Sequence, residues 1–389
     1  MAFGSLSVFI ANLFFKEILS LDQYYNYSIL IVFIALMNSF GLFGLEQVLI
    51  RITKIKDGVL EISQKNIKAI GLFTILNSFL FSWILKSQYS LSENFFLIVL
   101  MSILVITLLF FYNLFRLNSN FVTAQLAANS WKLFLGVTVV YTSLASVNIQ
   151  FHQLFYGLMS ALLITTVYCV YLTKNIQIVF VDLMPLKEIS KLAFQFFLSL
   201  LTLSFIAQSD KLIVDKFFGP EEFVNYFYLA NLFLFPFSFI QSYIGFKEIV
   251  VMKKQPNYEL LKTSVKVFVF SVIFAFCLFL AVKTFVEIDL IKINLSAHTD
   301  IILLFLVTGI VRLVYAIYSA YFSCFATAKD VKMANVYTII SILFLLYIIS
   351  EITLNVQAIA LFLTSIWVIR LTIWMKLSFK LKSKICATN

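Results

Sequence analysis

Twelve apolar stretches, each long enough to cross a bilayer, fill nearly all of this 389-residue chain. They fall near residues 3–18, 26–48, 67–85, 95–115, 127–147, 153–173, 190–209, 223–246, 264–286, 301–325, 333–350 and 354–376. The hydrocarbon core of a bilayer, about 30 Å thick, takes about 20 helical residues to span. What remains is about a dozen residues per connection, too few for a soluble domain. The expected architecture is all-α: a polytopic integral membrane protein of about twelve transmembrane helices. The first span lacks a small-residue cleavage site and reads as a retained helix rather than a removed signal peptide.

Charge placement sharpens this reading. Only 12% of residues are charged, against about 25% in soluble domains. The net charge of +10 suggests a nucleic-acid partner only until the lysines and arginines are located. Of these 29 residues, 21 fall in or beside the even-numbered connections and the C-terminal tail, among them Lys54, Lys65, Lys68, Lys253, Lys254, Lys329 and Lys384. Six fall in or beside the odd-numbered connections, Lys292 among them, and Arg312 and Arg370 are assigned to no connection. Positive residues concentrate on the cytoplasmic side. Both termini are therefore expected in the cytoplasm, and nucleic-acid binding is disfavoured.

The sequence argues against several chemistries. Cys169, Cys277, Cys324 and Cys386 are scattered, and His152 and His298 stand alone in short connections. Neither set has the spacing that metal ligation or thiol–imidazole catalysis needs. There is no Gly-rich phosphate loop or nucleophile elbow. No cofactor, metal or enzymatic activity is expected, and ATP-driven transport by this chain alone is disfavoured.

An internal repeat divides the chain. Ser20-Leu21-Asp22-Gln23-Tyr24-Tyr25-Asn26-Tyr27 follows the first span, and Gly219-Pro220-Glu221-Glu222-Phe223-Val224-Asn225-Tyr226 follows the seventh, at a constant offset of 199. The acidic residues suit the positive end of a helix dipole. A six-span unit has an even number of crossings, so both halves share one orientation, as in transporters built from parallel repeats. The expected lobes are residues 1–180 and 181–389, six helices each.

Polar residues at helical spacing mark candidate sites. Thr308, Arg312, Tyr315, Ser319 and Ser323 recur every three or four residues along span ten, which predicts one polar stripe. An arginine at mid-membrane costs about 2.5–3.5 kcal/mol on insertion scales, so Arg312 is expected to face a cavity or a partner. Arg370 lies nearer the cytoplasmic end of span twelve, where snorkelling to the interface is an alternative. Gln195, Ser199 and Thr202 share a face of span seven, which ends at Asp210-Lys211. Gly41, Gly44, Glu46 and Arg51 cluster at the end of span two, and Pro236 interrupts span eight.

Three segments carry a family resemblance. Leu42-Phe43-Gly44-Leu45-Glu46-Gln47-Val48-Leu49-Ile50-Arg51, Ser209-Asp210-Lys211-Leu212-Ile213-Val214 and Phe218-Gly219-Pro220-Glu221-Glu222-Phe223 resemble segments of Wzx-type polysaccharide repeat-unit (O-antigen) flippases. That family belongs to the multidrug/oligosaccharidyl-lipid/polysaccharide exporter superfamily. The resemblance implies translocation of an undecaprenyl-diphosphate-linked oligosaccharide from the inner to the outer leaflet of a bacterial inner membrane, in polysaccharide or lipopolysaccharide synthesis. The implied partners are this glycan, membrane lipid, a polysaccharide polymerase and a chain-length regulator. Guanidinium groups bind phosphate oxygens in pairs, which makes Arg312 the first candidate for the diphosphate, followed by Arg51, Lys211 and Arg370. Gln195, Thr202, Tyr315 and Ser319 are candidates for sugar hydroxyls, and Asp210 and Glu46 for ion coupling. Two rivals stand beside this reading: an integral-membrane polymerase or ligase, and a multidrug or lipid II exporter of the same superfamily.

The charge pattern makes a direct topology test. Reporter fusions are expected to place residues 54 and 254 in the cytoplasm and Asn225 outside; a cytoplasmic signal at Asn225 would invert the assignment.

Overall fold

The structure is a computed structural model describing residues 2–56, 59–89, 91–145, 147–182, 184–254, 259–289, 291, 293–326, 328–350 and 355–388. The side chains of Ser323, Lys253, Lys254, Lys292, Lys329, Lys384 and Cys386 lie outside the described part.

Thirteen helices run through the described residues: α1 (Ala2–Ile18), α2 (Leu21–Phe40), α3 (Leu45–Ile52), α4 (Gln64–Gln88), α5 (Phe95–Leu117), α6 (Phe121–Ala145), α7 (Phe151–Thr173), α8 (Leu186–Phe218), α9 (Pro220–Lys254), α10 (Leu260–Glu287), α11 (Thr299–Phe325), α12 (Ala328–Ser350) and α13 (Val356–Thr388). Ten helical spans among them are long and apolar enough to cross a membrane, α2 and α3 counting as one. The protein is an all-α, multi-pass integral membrane protein. The polar residues between apolar runs act as caps. Ser20 Oγ accepts from Gln23 N at the start of α2, and Asn94 Oδ1 accepts from Phe96 N at the start of α5. Each satisfies a donor that the helix leaves open at its N-terminus.

Helices α1 and α6 fall outside those ten and pack on each other. Small residues allow the approach. A Cβ on Gly4 would sit 2.9 Å from Asn129 Cβ, and one on Gly136 would sit 2.6 Å from Ser7 Oγ. Backbones come this close where small residues line the contact.

The second expected span is not one continuous helix. α2 ends at Phe40, a turn covers Gly41–Gly44, and α3 begins at Leu45. Phe43 (φ 55°) and Gly44 (φ 79°) both take left-handed backbone, which is strained for phenylalanine. A neighbouring helix compensates the break: Asn77 Nδ2 donates to the Gly41 carbonyl at 2.7 Å. Glu46 and Arg51 therefore sit on a separate short helix.

A small sheet was not foreseen. β1 (Lys54–Lys56) pairs antiparallel with β2 (Val59–Ser63), and β2 pairs parallel with β3 (Ile178–Val181). The β-branched Ile178-Val179 and Val181 suit a strand, but four residues in a polar connection give almost no periodicity to read. The sheet ties the connection after α7 to the one before α4, and Lys65 Nζ pairs with Asp182 at 2.7 Å.

By contacts the chain forms two units, Met1–Gln208 and Ser209–Asn389, the division falling inside α8. The sequence repeat has a matching contact in each. In the first, Tyr27 Oη donates to Asn12 Oδ1 at 2.7 Å. In the second, Tyr226 Oη donates to Asp210 Oδ2 at 3.0 Å. Tyr27 and Tyr226 are the last residues of the repeated segment, and each reaches back to a polar group on the preceding helix.

Gly44 offers a stability test. A Cβ there would meet the Ala193 carbonyl at 2.5 Å on a left-handed backbone, whereas one on Gly71 meets nothing. Gly44→Ala should lose about 2–4 kcal/mol from strain and overpacking, and Gly71→Ala should lose nothing. Thermal unfolding in detergent reads the difference.

Candidate functional site

The second unit is organised around α11, which packs on α9, α10 and α13. Two contacts lock it in place. Thr308 and Thr364 hydroxyls meet at 2.8 Å between α11 and α13. Gly309 has no side chain to block the Phe237 ring of α9, which would lie 2.4 Å from a Cβ.

Below these contacts the helices part around a polar cavity of about 360 Å³. Ser238, Gln241, Ser242, Gly245 and Ile249 of α9 form one wall; Arg312, Ala316, Ser319 and Ala320 of α11 form the other. Space exists because three of these residues are Gly or Ala, and a Cβ on Gly245 would meet nothing within 4 Å. Pro236 stands two residues before Ser238 in α9 and has no N–H to give the carbonyl four residues back.

Among the described residues that line the cavity, Arg312 is the one cation. Its Nε donates to Gln241 Oε1 at 3.0 Å, and its guanidinium carbon lies 5.0 Å from the Trp367 ring centroid of α13. The four remaining Nη hydrogens have no protein acceptor among the described residues, and no carboxylate lies within 4 Å. Asp210 acts on Arg312 through a longer-range attraction.

The expected stripe on α11 divides between two neighbours. Arg312 and Ser319 face α9 and the cavity. Thr308 and Tyr315 face α13, fully or nearly fully buried. The reason is geometric: a step of three residues falls 60° short of a full turn, enough to change neighbours when helices flank both sides. Tyr315 does not line the cavity.

Arg370 does not snorkel; it is 1% exposed. Its Nε donates to Tyr315 Oη at 3.0 Å, and its guanidinium lies 5.2 Å from the Tyr315 ring and 5.5 Å from the Trp374 ring. Tyr315 in turn meets Trp367 edge to face at 5.5 Å. Arg312 and Arg370 thus cap the two ends of an aromatic row. Sequence reading missed Gln241, Trp367 and Trp374. Gln241 lies 71 residues from Arg312, and a tryptophan in a membrane span looks like any apolar residue.

Asp210 and Lys211 lie close to the start of this unit. Asp210 is 1% exposed and held by Tyr226, whose ring packs edge-on to Phe305 at 5.1 Å. Lys211 Nζ stands 3.9 Å from Asp210 Oδ1, a buried pair rather than a solvated one.

The other candidates belong to the first unit. Glu46 is 2% exposed and stands in the first turn of α3. An acidic residue there suits the positive end of the helix dipole, and its Oε2 makes no hydrogen bond among the described residues. Arg51 is exposed in the last turn of α3. On α8, Gln195 is exposed, and Thr202 is buried and bonds the Leu198 carbonyl. None of the described residues form a cluster of three or more His, Cys, Asp or Glu that could hold a metal.

No protein-family model and no curated protein matches the chain. Among solved structures, it resembles one described as the inward-facing conformation of a multidrug resistance MATE family transporter of the MOP superfamily. The TM-score is 0.58 at 12% identity, covering 99% of this chain and 95% of that one. The chain has the fold of that transporter over its full length.

The Asp210 contact gives a second test. Tyr226→Phe keeps the ring against Phe305 but removes the one hydrogen-bond donor to the Asp210 side chain among the described residues. An unsatisfied buried acceptor costs about 1–3 kcal/mol. Thermal unfolding should show that loss, and Tyr226→Phe combined with Asp210→Asn should show less than the two single losses together.

Proposed function

We propose that this protein is a flippase of the multidrug/oligosaccharidyl-lipid/polysaccharide exporter superfamily. Its proposed substrate is an undecaprenyl-diphosphate-linked oligosaccharide, moved from the inner to the outer leaflet of a bacterial inner membrane by alternating access, with both termini in the cytoplasm. The observation that carries this reading is the Arg312 guanidinium on a polar cavity in a chain with a transporter's fold.

The chemistry runs as follows. A diphosphate that leaves bulk solution needs cationic donors to replace the water around its charge. A guanidinium can give two parallel N–H bonds to one phosphate, and the Nη hydrogens of Arg312 make no protein hydrogen bond among the described residues. Gln241 and Trp367 hold the group so that little rotamer freedom is lost on binding. Ser238, Ser242 and Ser319 offer hydroxyls of the kind that pair with sugar hydroxyls. Asp210, held by Tyr226 and within electrostatic range of Arg312, couples the cycle to an ion. The resemblance of three sequence segments to polysaccharide flippases supports a glycan-lipid substrate over a drug.

The test is complementation in a strain lacking its polysaccharide flippase, with membrane insertion monitored in parallel. Arg312→Ala should insert normally and reduce surface glycan by about 10- to 100-fold, the equivalent of a charge-assisted bond worth about 1.5–3 kcal/mol. Arg312→Lys should recover part of it. Gly245→Leu, which fills open space, should be inactive yet folded. Wild-type glycan from Arg312→Ala, or export of cationic dyes by purified protein that ignores the glycan lipid, would overturn the proposal.

A further inference from the structure

A second cavity, of about 490 Å³, lies in the first unit between the starts of α4 and α8. Pockets for drug-sized molecules run about 300–1,000 Å³. Its character is unlike that of the Arg312 cavity. Its walls are apolar, with Phe43, Leu72, Phe73 and Phe194 among the lining residues, and two lysines, Lys65 and Lys68, stand on one side. Leu72 and Phe194 are each 56% exposed, so this apolar surface faces outward from the unit.

The groove is built by the strained turn before α3. Left-handed backbone at Phe43 and Gly44 lays the Phe43 ring flat on Phe197 at 3.8 Å and 9°, and against Phe73 at 5.4 Å. Gly44 admits the α8 backbone, since any Cβ would strike the Ala193 carbonyl. The small sheet fixes the mouth by joining β2, just before α4, to β3, just before α8. A bulky residue held at positive φ is costly unless its surroundings over-determine it. Here the outcome of that strain is a formed hydrophobic floor.

We propose that this groove holds an anionic phospholipid of the surrounding bilayer, its phosphate between Lys65 and Lys68 and an acyl chain along Leu72, Phe73 and Phe194. Charge complementarity selects the headgroup. Lys187 and Lys191, exposed on the first turns of α8, add to Lys65 and Lys68, against Asp182 and Glu188 nearby in sequence. Lys68 makes no ion pair among the described residues. The Lys65–Asp182 pair is solvent-exposed on both sides, at 44% and 66%, and such a pair gives way readily to a phosphate. Basic residues at the end of a span lie at headgroup depth, where anionic lipid gathers. The proposal does not depend on what the protein transports.

Native mass spectrometry of the full-length protein, released from detergent with added lipid, tests it. Phosphatidylglycerol and phosphatidylcholine of equal chain length serve as probes. The wild type should retain one phosphatidylglycerol at about fivefold lower lipid concentration than phosphatidylcholine. Lys65→Gln with Lys68→Gln, both surface changes, should abolish that preference. Ala69→Trp, which fills the groove, should lose both lipids. Equal retention of the two lipids by the wild type, or a preference unchanged in the lysine variant, would overturn the proposal. So would farnesyl diphosphate displacing phosphatidylglycerol with the same dependence on Lys65 and Lys68, because the groove would then belong to a polyprenyl substrate.

Discussion

A guanidinium cannot lie in hydrocarbon without partners, and the second unit is arranged around two that do not. Removing a peptide-sized polar group from water without a hydrogen bond already costs a few kcal/mol, and a charge costs more. Arg312 meets this constraint with one amide bond to Gln241, the face of Trp367 and a polar cavity. Arg370 meets it with the Tyr315 hydroxyl and two aromatic faces, Tyr315 and Trp374. The aromatic side chains between them also fix the spacing of α11 and α13. The Thr308–Thr364 contact and the Gly309–Phe237 approach hold α11 close to its neighbours at one level. Gly245, Ala316 and Ala320 then leave room at the next.

The repeated segments show how one local geometry serves two chemical settings. Tyr27 and Tyr226 occupy equivalent places and reach back to the helix before them. The acceptor is an amide in the first unit and a carboxyl in the second. Asp210, Lys211, Arg312 and Arg370 all lie in the second unit's helices, whereas the first unit's contacts of Ser82 with Ser102 and of Asn77 with Gly41 are neutral. The two tyrosines match in the contact they make and differ in the acceptor they meet.

Much of this was legible in the sequence because membrane insertion leaves a coarse, long-range signal. A span needs about 20 apolar residues, and a mid-span arginine stands out against them. The features that escaped detection are those set by tertiary contacts. The break after Phe40 depends on Asn77 bonding the Gly41 carbonyl, which no local pattern announces. The three-stranded sheet joins segments more than a hundred residues apart. The polar stripe on α11 has the right period but meets α9 on one side and α13 on the other, so Arg312 and Ser319 part from Thr308 and Tyr315. Periodicity shows which residues share a face; it does not show how many helices cover that face.

That division of α11 is also the most direct check of the central claim, that Arg312 looks into a wet cavity. In a version of the protein lacking native cysteines, single cysteines at positions 308, 312, 315 and 319 can be challenged with a charged thiol reagent. The account predicts rapid labelling of Arg312→Cys and Ser319→Cys and protection of Thr308→Cys and Tyr315→Cys. Labelling at 315 with protection at 312 would contradict it.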